Sequence, residues 1–167
     1  MPRLLLRDGS LVEDDYRTTG DVGVSDDAPL ILTFAEWQTG RDRWLARRGP
    51  LGVVLSPSDE VEKLAPDLGR LALAGADFPT LSEGRGYTQA RLLRERFGFR
   101  GELRARGAVR RDHVFLLARC GFNSFELPQE ELAGALAALS TFSAAYQPSN
   151  DAGLARHPRH RGPAPLA

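Results

Sequence analysis

Predicted strands and helices alternate between residues 51 and 127, and this order constrains the fold more than any other feature of the chain. The run Leu51–Leu55 is continuously apolar, as in a strand covered on both faces of a sheet. Further strands are predicted at residues 71–78, 102–106 and 122–127, with apolar residues at helical spacing between them. Such alternation predicts an α/β fold with a parallel sheet and right-handed crossovers.

The spacing of these strands gives about four βα units. Two architectures fit it: a half-barrel-like sheet, resembling half of a (βα)8 barrel, and a doubly wound sheet. No repeated motif separates the two. In both architectures, ligands bind at the carboxyl ends of the strands. The predicted strand ends carry Ser56, Asp59, Asp77, Arg106, Gly107 and Glu126.

A β-hairpin is predicted before the alternating part of the chain. Two short apolar runs, residues 4–6 and 11–12, flank the pair Asp8-Gly9, which tolerates the backbone of a tight hairpin turn. Residues 14–29 are polar and rich in turn residues, which predicts a loop. A short buried strand is expected at residues 30–32.

Helices are predicted between the strands. Thr33 and Glu36 have the spacing of a capping box, which predicts a helix that includes Trp37 and Trp44 and ends before Gly49. The other predicted helices start at Ser58, with a break at Pro66, and cover residues 88–97, residues 111–119 and the segment after Pro128.

Length and composition indicate one domain. The chain has 167 residues, and residues 1–147 are predicted to form a single α/β domain. The tail at residues 148–167 is rich in proline, has no apolar periodicity and is predicted to be disordered. No apolar run is long enough to cross a membrane, and Cys120 is the single cysteine, so we expect a cytoplasmic protein.

Arginine supplies nearly all of the positive charge. The chain has 22 basic and 22 acidic residues, and this neutral total argues against a nucleic-acid partner. Lys63 is the only lysine. Codon usage is one explanation. The other is selection for the planar guanidinium of arginine, which binds oxyanions with two donors. Between Arg85 and Arg111 there are nine arginines but only two acids, Glu95 and Glu102.

The loop Glu83–Tyr87 is the strongest local candidate for a binding site, because it joins the end of a predicted strand to the start of a helix. Gly84 and Gly86 allow the backbone to approach a ligand, Arg85 can hold an oxyanion, and Tyr87 can donate a hydrogen bond. Arg106, at the next strand end, is a further candidate ligand contact. Alternatively, the two glycines make a tight turn and Arg85 pairs with Asp77 or Glu83.

Asp77 and Asp112 are the candidate catalytic residues, as general acid or base. Asp112 stands at a predicted helix start, where it is alternatively an N-cap. His113 is interpreted as a surface or cap residue and Cys120 as a buried structural residue. No Cys-x-x-Cys pair or Cys/His cluster is present, so no metal site is predicted and no redox-cofactor motif is visible. The cofactor stays unassigned.

A long set of motifs resembles one bacterial family. They are Asp77-Phe78-Pro79, residues 84–88, residues 90–96, residues 101–105 and Arg119-Cys120-Gly121-Phe122. The resemblance, which extends over about residues 3–147, is to the domain of unknown function 934, often labelled a probable oxidoreductase in sulfite reduction. It implies a bacterial cytosolic protein that is commonly encoded beside assimilatory sulfite reductase.

Three positions depart from the pattern of that family. Members typically have an aspartate where this chain has Glu83, Ala108 and Asn123. The first change keeps a carboxylate, whereas the other two remove one. If either missing carboxylate were the catalytic acid or base, this protein would be impaired as an enzyme. Loss of negative charge would instead be tolerable at a site that binds an anion.

Together, the residues and the resemblance predict an accessory protein of assimilatory sulfite reduction. It would bind a small oxyanion, or a partner such as sulfite reductase or another sulfur-assimilation enzyme, through the region of Gly84–Tyr87. The alternative is a small-molecule oxidoreductase or other enzyme of sulfur assimilation, with its site at the strand ends.

Overall fold

The computed structural model describes residues 3–6, 8–80, 82–140 and 149–150, except for the side chains of Arg3 and Ser140. The predicted disordered tail, residues 148–167, lies outside the described residues apart from Ser149 and Asn150. These two residues bond to the end of a helix, since the Ser149 hydroxyl and the Asn150 backbone N–H both donate to the Arg119 carbonyl oxygen, at 2.6 and 3.0 Å.

Seven strands of the described residues form one sheet. Their bounds are β1 Arg3–Leu6, β2 Leu11–Glu13, β3 Leu30–Thr33, β4 Leu51–Leu55, β5 Leu73–Phe78, β6 Glu102–Gly107 and β7 Ser124–Glu126. The order in the sheet is β2-β1-β7-β6-β5-β4-β3. The strands from β3 to β7 are parallel to one another, and β1 pairs antiparallel with both β2 and β7.

This order selects one of the two predicted architectures. The parallel strands follow one another without the reversal that defines a doubly wound sheet, so the sheet is a curled half-barrel. The N-terminal β-hairpin is confirmed. It extends the same sheet beyond β7, and the sheet is therefore mixed rather than purely parallel. Main-chain pairing between β1 and β7 joins segments more than 100 residues apart, which local patterns do not reveal.

The helices follow the strands, with four differences from the prediction, of which one is that the helix expected from Ser58 begins at Val61. Their bounds are α1 Phe34–Thr39, α2 Arg41–Leu45, α3 Val61–Leu64, α4 Arg85–Arg91, α5 Arg111–Cys120 and α6 Leu132–Ser140. The first predicted helix is split at Gly40. The helix expected at residue 88 begins at Arg85 instead and ends in a π turn. After Pro128, the chain makes a 3-10 turn before α6.

The capping box at the start of α1 is confirmed. The Glu36 backbone N–H donates to the Thr33 hydroxyl at 3.3 Å, and the Thr33 backbone N–H donates to the Glu36 carboxylate at 2.7 Å. This exchange satisfies two groups that a helix start would otherwise leave without partners. It also fixes the Glu36 side chain beside the carboxyl end of β3.

The two faces of the sheet differ in chemistry. On one face, alternate strand residues such as Val53, Ala76 and Leu103 join the helices in the main hydrophobic core. The other face, here called the open face, carries a small apolar cluster of Ile31, Val54 and Leu73 with polar side chains beside it. A half-barrel leaves this face without a helix layer, so the chain has to cover it by other means.

A buried ion cluster and the loop at residues 14–29 cover part of the open face. The Arg104 side chain is 2% exposed and contacts Asp14 and Glu102 oxygens at 2.8 Å each. Its guanidinium also lies 5.2 Å from the centre of the Tyr16 ring, and burial raises the pKa of Tyr16 to about 12. Arg17 then bridges the outer edge of β3 at Leu30. The loop is thereby tied to the sheet at both ends of the stretch Asp14–Arg17.

None of the helices in the described ranges has the length and apolarity that crossing a membrane requires.

We expect Arg104→Met to lower the free energy of unfolding by about 3 kcal/mol, because it leaves Asp14 and Glu102 in an enclosed place without a counter-ion. Urea denaturation measures this change. Arg96→Met is the matched control, because Arg96 is exposed and pairs with Glu62 at 3.3 Å on the surface. The control should cost less than about 1 kcal/mol. Equal losses in the two variants would show that the Arg104 cluster adds nothing beyond a surface ion pair.

Candidate functional site

A cavity of about 340 Å³ opens at the carboxyl ends of β3 to β6, on the open face. Here it is called the strand-end cavity. Its volume is at the lower end of the range for small-ligand sites, about 300–1,000 Å³. The sheet and α1 supply most of the lining: Ile31, Leu32, Thr33, Glu36, Val54, Ser56, Asp77 and Arg106. The loop at residues 14–29 supplies the rest: Thr18, Thr19 and Gly20.

Asp77 and Arg106 lie side by side in this cavity, as register partners on β5 and β6. The Arg106 Nε is 3.6 Å from a Glu126 carboxylate oxygen, a loose contact that leaves most guanidinium donors available. Among the described residues, the Asp77 carboxylate has no hydrogen-bond partner. Gly107, which has φ of +93°, leaves room for it, since a Cβ there would stand 2.9 Å from Asp77 Oδ1.

Hydroxyl groups and a second carboxylate form the opposite wall. The Glu36 carboxylate accepts hydrogen bonds from the Thr33 hydroxyl at 2.7 Å and from the Thr19 hydroxyl. These bonds, that from Thr19 first, lower the pKa of Glu36, so the carboxylate is ionised near neutral pH. The cavity thus offers one arginine, two carboxylates and several hydroxyls, a set that can hold a small polar ligand.

The predicted anion-binding loop has a different environment. Arg85 binds Glu83 through its Nε and Nη2 atoms, at 2.9 Å each, and its backbone N–H donates to the same carboxylate at 2.9 Å. These bonds, led by those from the side chain, lower the pKa of Glu83 to about 2. An oxyanion at Arg85 would have to displace this carboxylate. The structure thus has the ion pair that the alternative interpretation expected.

Gly84, Gly86 and Tyr87 are not arranged around a common opening. Gly84 is the exposed N-cap of α4, whereas Gly86 is buried in its first turn. A Cβ on Gly86 would stand 2.6 Å from the Phe78 ring, so this glycine permits close packing of α4 on β5. The Tyr87 ring meets Phe78 edge-on at 5.3 Å, and burial raises the pKa of Tyr87. Both residues belong to the helix side of the sheet.

Asp112 lies apart from Asp77. It is in the first turn of α5, its side chain is 84% exposed, and its closest cation is Arg111 at 3.6 Å. The N-cap of that helix is Arg110 rather than Asp112. Asp112 is not among the residues that line the strand-end cavity. The structure therefore brings Asp77 and Arg106 together and leaves Asp112, Arg85 and Tyr87 outside.

The two positions where the resemblance leads us to expect a carboxylate lie at opposite ends of the sheet. Ala108 follows the carboxyl end of β6, where its backbone N–H donates to the Phe78 carbonyl at 2.6 Å. Asn123 precedes β7, and its side-chain oxygen accepts a hydrogen bond from the Leu103 backbone at 2.7 Å. An aspartate oxygen could accept the same bond, so Asn123 keeps this structural contact without a charge.

The arginine-rich window does not form a continuous cationic surface. Among the residues that the structure describes, seven of its nine arginines lie within 3.6 Å of a carboxylate oxygen: Arg85, Arg91, Arg96, Arg104, Arg106, Arg110 and Arg111. Arg94 donates to the carbonyl oxygens of Phe99, Gly101 and Gly121. Most of these arginines therefore have a local partner. Arg94 and Arg100 line a separate opening of about 270 Å³ with Gly121 and Asn123. Arg106 differs from the others because it lines the strand-end cavity.

Metal-binding clusters are absent from the part of the chain that the structure describes, where no group of three or more His, Cys, Asp or Glu residues could hold an ion. Cys120 is buried at the end of α5, as predicted for a structural cysteine.

Sequence reasoning missed the loop side of the cavity. Thr18, Thr19 and Gly20 stand in a polar stretch with no motif. The Arg104 cluster and the bridge from Arg17 to β3 bring that stretch over the sheet. Thr33 and Glu36 were recognisable as a helix cap, which explained them without a ligand. Because Thr33 ends β3 and Glu36 comes three residues later, the rule that placed Asp77 and Arg106 at strand ends could have found them as well.

We expect Gly86→Ala to lower the free energy of unfolding by about 1–3 kcal/mol, because the new methyl group overlaps the enclosed Phe78 ring. Gly84→Ala is the matched control, since no atom lies within 4 Å of a Cβ at that position. The control should leave stability unchanged or raise it by up to about 1 kcal/mol. Chemical denaturation of both variants checks this, and a neutral Gly86→Ala would mean that the glycine is not needed for packing.

Comparison with known proteins gives one result. No curated protein is significantly similar to this chain. The family described as "Bacterial protein of unknown function (DUF934)" matches residues 52–156, from the second residue of β4 through β7 and including Asp77 and Arg106. This match covers more than half of the chain and agrees with the resemblance of residues 77–122. The chain belongs to the DUF934 family.

Proposed function

We propose that the protein serves assimilatory sulfite reduction as an accessory protein that binds a small oxyanion, or a small molecule with an oxyanion group, in the strand-end cavity. The position of Arg106 carries this proposal. Arg106 lines the strand-end cavity, and its ion pair is loose, since its Nε lies 3.6 Å from a Glu126 carboxylate oxygen. A guanidinium with available donors in a partly enclosed site is the usual contact for an oxyanion.

The surroundings of Arg106 support a ligand that is more than a bare anion. Asp77 and Glu36 line the same cavity and repel negative charge, while Thr18, Thr33 and Ser56 supply hydroxyl groups. A molecule with an oxyanion group at Arg106 and hydroxyl or amino groups near the carboxylates would satisfy both. This arrangement is also why we place the binding site at Arg106 rather than at Arg85, which Glu83 already neutralises.

The second candidate function is an enzyme of sulfur assimilation. The observation that favours it is the Asp77 carboxylate, which lies beside Arg106 and has no hydrogen-bond partner among the described residues. Such a group can accept or give a proton to a ligand that Arg106 holds. The pathway itself, the cytoplasmic location and any contact with sulfite reductase rest on the family resemblance and are part of the same proposal.

We expect Arg106→Gln to weaken the binding of sulfite at least about tenfold, because a lost charge-assisted hydrogen bond is worth about 1.5–3 kcal/mol. Isothermal titration with sulfite under anaerobic conditions measures this effect, with sulfate in a parallel titration. Arg85→Gln is the matched control and should bind like the natural protein. Loss of binding in Arg85→Gln, with Arg106→Gln unaffected, would move the site to the Gly84–Tyr87 region.

Asp77→Asn distinguishes the two candidate functions. If the cavity only binds an oxyanion, removal of the adjacent negative charge should tighten sulfite binding. If Asp77 transfers a proton in a reaction, the variant should bind and yet fail to support growth. Asp112→Asn should change neither property, since that side chain is exposed and lies outside the cavity.

Gene deletion tests the pathway. We expect the deletion strain to grow on sulfide or cysteine but poorly on sulfate or sulfite as the sole sulfur source. A gene copy with Arg85→Gln should restore growth, and a copy with Arg106→Gln should not. Normal growth of the deletion strain on every sulfur source would refute a role in sulfite reduction, whatever the protein binds.

A further inference from the structure

The strand-end cavity continues beyond Glu36 into a second opening. This second opening, here called the α1–α2 groove, has about 640 Å³ and lies along α1 and α2. Thr19 and Glu36 line both of them. The hydrogen bond from the Thr19 hydroxyl to the Glu36 carboxylate therefore stands between the cavity and the groove. Because this bond is exposed, a ligand that offers its own hydroxyl to Glu36 can replace it.

An indole ring forms the apolar part of the groove. Trp44 is half-buried, and its Nε1–H donates to the Glu36 carbonyl oxygen at 2.8 Å. The ring lies so close to Gly40 that a Cβ there would be 2.6 Å from Trp44 Nε1. The ring therefore occupies the space of a side chain at residue 40, and its hydrogen bond holds it next to Glu36.

Arg43 lies over this ring without another anchor. Its guanidinium carbon is 4.6 Å from the centre of the Trp44 ring. Within the part of the chain described, Arg43 has no ion pair or hydrogen bond, whereas its neighbour Arg41 is held by Asp67 at 2.5 Å. The Arg43 side chain can therefore move off the Trp44 ring when a planar ligand group stacks there, or it can lie over that group.

Three kinds of chemistry thus line two adjoining openings that share Thr19 and Glu36. Arg106 stands at one end, the Glu36–Thr19 pair is in the middle, and the Trp44 ring with Arg43 is at the other end. Carboxylates at strand ends commonly bind sugar hydroxyls, and aromatic rings stack with planar bases. We infer that the site takes a mononucleotide-like ligand, with its phosphate at Arg106, its sugar at Glu36 and its base on Trp44. This inference rests on the proposed function and names the ligand class for that site.

The experiment compares AMP with its two halves, ribose 5-phosphate and adenosine. Isothermal titration should give AMP a dissociation constant at least about fivefold lower than that of ribose 5-phosphate, because one stacked base contributes binding energy of its own. Trp37 is buried, so quenching of tryptophan fluorescence reports on Trp44. AMP and adenosine should quench it, and ribose 5-phosphate should not.

Two variants separate the ends of the site. Trp44→Leu should remove the advantage of AMP and leave ribose 5-phosphate binding unchanged. Arg106→Gln should weaken AMP and ribose 5-phosphate at least about tenfold and leave adenosine unchanged. Trp44 also contacts the main core, so Trp44→Phe provides a milder variant that keeps a ring and should retain most of the AMP binding. Thermal melting curves confirm that each variant is folded.

The inference is wrong if AMP binds no tighter than ribose 5-phosphate, or if folded Trp44→Leu binds AMP as well as the natural protein. Ribose 5-phosphate binding that depends on Arg106 would in that case leave the strand-end cavity intact as an oxyanion site. If sulfite and ribose 5-phosphate both bind independently of Arg106, the proposed function fails as well. The experiment therefore gives different results if the α1–α2 groove does not bind a base and if the strand-end cavity does not bind an oxyanion.

Discussion

The buried guanidinium of Arg104 is the interaction on which the open face of this half-barrel depends. A half-barrel has helices on one face only, so its other face needs a different cover. Here Arg104 draws Asp14 against the sheet and supports the Tyr16 ring, and the chain then passes directly to Thr18 and Thr19 at the cavity. A structural ion cluster in the middle of the sheet therefore builds one wall of the candidate site at its edge.

Most of the fold could be predicted because local sequence patterns determine where its strands and helices lie. Apolar runs and helical spacing identified the parallel strands from β3 to β7 and the helices that follow them. Contacts between distant segments were not predictable in the same way. The pairing of the hairpin with β7 depends on which segments meet in the folded chain.

The candidate site was predicted in part for the same reason. Strand ends of a parallel sheet share one edge, and this rule brought Asp77 and Arg106 together. Glycine content and position selected Gly84–Tyr87, where the structure has another explanation for each feature. Arg85 pairs with a carboxylate two residues away, and Gly86 makes room for Phe78. The arginine-rich window also has a local explanation, because most of its arginines pair with nearby carboxylates.

A backbone amide map of the isotope-labelled protein during titration with sulfite tests the placement of the site most directly. We predict that the largest changes in amide chemical shift occur at Ser56, Asp77 and Arg106. The amide chemical shifts of Gly84–Tyr87 should stay the same. Changes centred on Gly84–Tyr87, with Arg106 unaffected, would contradict the assignment of the strand-end cavity as the binding site.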